Sequence, residues 1–164
     1  MNLPFIFKNS LLLPKKDAVF QLNRVSMRDA MTYMVCLLVL LFLPDIAKMI
    51  MNPEWMTEGI TYSTYIIQIL VFYPFLILFL VVAGVSMLAF VSFGMAKMAG
   101  RKLTYHYLWK MTGYALTVPL MIYTILKLFQ INHAGINLIL MLVLYFSICK
   151  IILIYPKISD ASSK

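Results

Sequence analysis

The sequence predicts an all-α integral membrane protein, a four-helix bundle with an N-terminal amphipathic helix lying in the membrane interface. Three observations carry that class. Tyr65 to Ala96 runs thirty-two residues without an Asp, Glu, Lys or Arg. As a helix rising about 1.5 Å per residue it would cover about 48 Å, against about 30 Å for the hydrocarbon core of a bilayer. The whole chain of 164 residues is 63% hydrophobic and only 12% charged, where soluble domains carry about 25% charge. Finally, the Lys and Arg residues sit at the ends of apolar runs. The net charge of +8 therefore points to anionic lipid headgroups and to topology, with no nucleic acid implied.

Residues 1–29 form a basic, amphipathic segment. Phe5, Ile6, Phe7, Leu11, Leu12 and Leu13 are apolar, while Lys8, Lys15, Lys16, Arg24 and Arg28 are cationic. The apolar run is too short for the core of a signal peptide and no small-residue cleavage site follows. Pro14 divides the segment, and Val19, Phe20 and Leu22 give a second short apolar face. One or two helices lying in the cytoplasmic interface, aromatic side down, are expected; a loose basic tail that only sets orientation is the alternative.

A transmembrane domain is expected over residues 30–155. Its first span is 30–51, interrupted near the far end by Pro44 and Asp45, with Lys48 one turn on. Asn52-Pro53 ends it, and Trp55 in the short connection suits an interface. The second span is 65–96. Pro74 removes a backbone donor and is expected to kink or tilt it. Ser92, Ala96 and Gly100 recur every four residues on one face, a helix-docking pattern. Two uses of that face stand open: packing inside the chain, or docking to another subunit. Cys36 and Cys149 both lie in apolar runs and read as small apolar packers, not a disulfide or metal pair.

Lys97, Arg101 and Lys102 lead into Tyr105–Lys110, an aromatic and cationic mixture suited to the headgroup level. The third span is 111–129. Only sixteen uncharged residues separate Lys110 from Lys127, so both lysines are expected to snorkel outward. Gly113 and Pro119 make this helix irregular. A turn with Asn132 and His133 leads to the fourth span, 136–155, and residues 156–164 form a polar tail. Spans one and three share a Met-Thr start, Met31-Thr32 and Met111-Thr112, as two parallel halves would.

Eleven Lys or Arg fall on the side of the two termini, and only Lys48 and Lys127 on the other. That asymmetry predicts a multi-pass protein of the plasma membrane with both termini in the cytoplasm.

Two segments look familiar. They are Ser10-Leu-Leu-Leu-Pro-Lys-Lys-Asp-Ala-Val-Phe-Gln-Leu-Asn-Arg and Gly100-Arg-Lys-Leu-Thr-Tyr-His-Tyr-Leu-Trp-Lys-Met-Thr-Gly-Tyr-Ala-Leu-Thr-Val-Pro. Together they resemble an uncharacterised family of Gram-positive bacterial membrane proteins, labelled maltodextrin-utilisation-protein-like and distantly similar to Yip-type proteins. Members carry a sizeable extracytoplasmic insert between the first two spans, where this chain has about a dozen residues. The resemblance implies a bacterial plasma-membrane accessory protein and no assigned chemistry.

The residues themselves offer no nucleophile–base pair, no metal motif and no cofactor signature, so a non-enzyme is expected. An ionisable residue inside a span is a functional candidate by default. Asp45 is one, with Gln68 expected at similar depth on span two; together they make a candidate polar site. A bland alternative is that Asp45 pairs with Lys48 at i+3. Lys150 is the other, close enough to the cytoplasmic end to snorkel. The leading functional expectation is a non-catalytic accessory, scaffold or regulatory subunit of a bacterial membrane complex. Lys15, Lys16, Arg24, Arg101 and Trp109 would form a collar for anionic lipid or a partner. A membrane-protein partner or a homo-oligomer would dock at Ser92, Ala96 and Gly100. The alternative is a small transporter or channel using Asp45 and Gln68.

Overall fold

A computed structural model of the chain describes residues 2–51, 61–129 and 134–156. The expectations for Trp55, for Asn132 and His133, and for the tail beyond Pro156 lie outside them. The described residues are helical: α1 (Leu3–Leu11), α2 (Lys16–Asn23), α3 (Met27–Met51), α4 (Tyr62–Phe79), a π-helical turn (Leu80–Gly84), α5 (Val85–Met98), α6 (Tyr105–Ala115), α7 (Thr117–Leu128) and α8 (Ala134–Ile154).

Among the described residues, three helices are long and apolar enough to cross a bilayer: Met27–Lys48, Tyr62–Met98 and Gly135–Ile154. They answer to the first, second and fourth expected spans. Their outward side chains are apolar, with Leu70, Phe72, Phe75 and Phe90 all more than two-thirds exposed. Such faces suit a hydrocarbon solvent, where nothing is gained by burying Leu or Phe against protein.

The expected third span differs. It is two helices of 11 and 12 residues, α6 and α7, each too short to cross alone. The break falls at Leu116, just before Pro119. Proline has no N–H for the Ala115 carbonyl and its ring crowds the preceding turn. Leu116 keeps right-handed helical angles (φ −64°, ψ −22°), so the axis is jointed and not reversed.

α6 is the hub. Tyr107 through Ala115 are all buried, against α5, α3, α2 and α8. Gly113 sits where α3 crosses: a Cβ there would lie 1.7 Å from Met34 Cε. Tyr33 on α3 bonds Thr117 at 2.9 Å, hydroxyl to hydroxyl, and its ring packs on Tyr114.

The N-terminal segment is not a loose tail. α1 and α2 fold into a hairpin that packs on α6, α7 and α8, burying Ile6, Val19 and Leu22 in the common core. Each such side chain gains roughly 1.5–3 kcal/mol over exposure to water. The apolar side thus meets protein, and only Phe5, Leu11, Leu12 and Phe20 remain near 40% exposed. Ser26 then caps α3, accepting the Asp29 backbone N–H at 3.1 Å.

In the long second helix the ladder stays α-helical past Pro74 and widens instead at the π turn, Leu80–Gly84. Cys36 and Cys149 are free and exposed, on the outer faces of α3 and α8, not packed within.

Candidate ligand cavity and basic surface

A cavity of about 330 Å³ opens between α3, the π turn with the start of α5, and the α6–α7 joint. Leu37, Leu41, Leu80, Val85, Leu88 and Leu116 supply its apolar wall. Two local irregularities make the room. The π turn displaces Leu80 and Gly84 from a regular ladder, and Gly84 has nothing within 4 Å of where a Cβ would stand. The joint at Leu116 sets α7 off from α6.

One end of the cavity is polar. Asp45, Lys48, Tyr123, Thr124 and Lys127 line it. Lys127 Nζ donates to Asp45 Oδ2 at 2.7 Å, a short charge-assisted bond joining α3 to α7. The two side chains are 45% and 27% exposed, so the pair contributes modestly to stability. Its consequence is placement: it holds a carboxylate and an ammonium at the rim of an apolar hole. The expectation of an Asp45–Gln68 pocket is corrected here. Gln68 is exposed on α4 and does not line the cavity; the partner of Asp45 is Lys127, eighty-two residues away, and not Lys48. Lys127 was legible only as a lysine at a span end, because nothing local ties α7 to α3.

A family model described as a protein of unknown function, DUF1189, matches residues 45–154. The chain belongs to the DUF1189 family. The match spans both members of the ion pair and leaves out the α1–α2 hairpin. Neither a maltodextrin-utilisation label nor a Yip-type relation comes with it. No curated protein and no solved structure matches the chain.

The small-residue face is split. Ser92 and Ala96 are buried, and Ser92 Oγ accepts Thr112 Oγ1–H at 3.2 Å while donating to the Leu88 carbonyl. This face packs α5 against α6 of the same chain. Gly100 does not share it. It lies past the end of α5 at φ +63°, with Arg101 N–H bonded to the Ala96 carbonyl and Gly100 N–H to the Lys97 carbonyl, both at 3.0 Å. That is a left-handed C-terminal cap, which glycine adopts without steric cost.

The collar residues divide likewise. Lys15, Lys16 and Arg24 are exposed on the hairpin. Arg101 instead turns its guanidinium onto the Tyr155 backbone carbonyl at the end of α8. Trp109 is buried, its indole N–H donating to Ser86 Oγ at 3.0 Å. Lys110 does not snorkel. It is buried, and Nζ donates to the Asn23 and Val25 carbonyls, each at 2.9 Å. These carbonyls close α2, so a cation there also meets the negative end of a helix dipole.

Proposed function

We propose that the chain is a non-catalytic accessory or regulatory subunit of a membrane complex that crosses the bilayer four times. The reading rests on one observation: the N-terminal hairpin is docked on the bundle, with Lys15, Lys16 and Arg24 directed outward. A fixed cationic surface beside apolar spans suits anionic headgroups and an acidic partner surface. The fourth crossing is the jointed α6–α7 pair, whose twenty-four residues cover about 36 Å. Homo-oligomers or a partner would meet this hairpin surface, since Ser92 and Ala96 are already occupied by α6.

Co-purification from native nanodiscs tests the proposal. Lys15→Glu, Lys16→Glu and Arg24→Glu together are expected to lower partner recovery severalfold while insertion is unchanged. Equal recovery of the same partners by the triple variant would defeat it.

A small transporter is the second reading, favoured by the Asp45–Lys127 pair at the cavity rim. Solute or ion flux in proteoliposomes that Asp45→Asn alters would support it. Purified protein that moves nothing across a broad panel would remove it.

A further inference from the structure

We infer that the cavity is a binding site for one anionic phospholipid, with an acyl chain among the leucines and the phosphate at the Lys48–Lys127 rim. The inference holds for either functional reading above. Three observations converge on it. Two of its walls, α3 and the π turn with α5, belong to bilayer-length apolar helices, which places the hole beside surfaces suited to hydrocarbon. Its volume of about 330 Å³ lies within the range of sites that accept small apolar ligands, about 300–1,000 Å³. Close-packed interiors hold few voids larger than a water molecule, so a space of this size beside lipid takes an acyl chain.

The rim selects the headgroup. Lys48 and Lys127 bring two ammonium groups and Asp45 one carboxylate. Lys127 donates one bond to Asp45, and an ammonium carries three donors. Among the described residues Lys48 has no carboxylate within ion-pair distance. Both cations are therefore open to a phosphate. Tyr123 and Thr124 line the cavity beside Lys127 and add hydroxyl groups that a headgroup can bond. A zwitterionic headgroup would bring its own cation to a rim already holding two.

The test is native mass spectrometry of the full chain released from nanodiscs of equimolar phosphatidylglycerol and phosphatidylcholine with matched acyl chains. One phosphatidylglycerol is expected to survive stripping on each wild-type chain. Lys48→Gln with Lys127→Gln should cut the preference for phosphatidylglycerol about tenfold, or about 1.4 kcal/mol. Lys48→Gln alone leaves the ion pair intact and should lower the preference in the same direction. Asp45→Asn should raise it, because the competing carboxylate is gone. Gly84→Leu places side-chain bulk in the cavity and should expel the lipid. Lys102→Gln, an exposed cation on the α5–α6 connection that does not line the cavity, should change none of this. Equal retention of the two lipids by the wild type overturns the inference. So does a preference that survives the rim variants, or that falls as far with Lys102→Gln.

Discussion

At the scale of single residues, the glycines separate into roles that spacing alone merges. Gly100 shares a four-residue repeat with Ser92 and Ala96, yet its positive φ makes it a helix terminator. Gly113 looks like a helix-weakening interruption, yet the end of the Met34 side chain from α3 fills the space its Cβ would take. Gly113→Ala is expected to destabilise the protein by about 1–3 kcal/mol through overpacking, read as a lower Tm in detergent. Because the obstructing atoms are the end of the Met34 side chain, the loss should shrink in a Met34→Ala background. Strict additivity in that double-mutant cycle would show that the two residues do not compete for the same space. Asp45 gives the same lesson with charge: its i+3 neighbour Lys48 is the obvious partner, and the distant Lys127 takes the bond.

At the scale of elements, the hairpin α1–α2 matters most. Its amphipathic pattern is plain in the sequence, but a pattern does not say whether lipid or protein covers the apolar side. Here protein does, and Lys110 fastens the joint between α2 and α3 from beneath. Lys110→Met keeps the aliphatic stem and removes two hydrogen bonds from a charged donor, each worth about 1.5–3 kcal/mol. Hydrogen exchange across residues 3–23 is expected to speed up roughly tenfold or more. Lys16→Met, at an exposed position, is the control and should leave exchange unchanged. Protection undisturbed in Lys110→Met would mean that the hairpin is held by its apolar contacts alone. Arg101 performs a related task for α8, bonding the Tyr155 carbonyl just past its C-terminus from the α5–α6 connection.

At the scale of the whole molecule, the distribution of cations and the jointed α6–α7 segment decide the topology together. If that segment crosses, Leu103 and Phe129 lie on opposite sides of the membrane. With Cys36 and Cys149 replaced by Ser, a membrane-impermeant maleimide added to intact cells should label Phe129→Cys. It should spare Leu103→Cys until the cells are opened. Labelling of both from outside would show that the α6–α7 pair enters and returns, leaving three crossings. Phe129 is 72% exposed, so its accessibility does not depend on unfolding.

The all-helical class and the positions of three helices long and apolar enough to cross a membrane, among the described residues, were determined by the sequence alone. The reason is that burial in lipid is a property of a single segment: about 20 consecutive apolar residues suffice, whatever their neighbours. The hairpin cations Lys15, Lys16 and Arg24 were readable for the same local reason. Only the tertiary structure decided that α6 is a buried hub, that Lys110, Trp109 and Arg101 point inward, and that Asp45 meets Lys127 over an apolar cavity. Those outcomes depend on which helix faces come together, and apolar runs whose every side is acceptable to lipid carry almost no pattern that specifies a face.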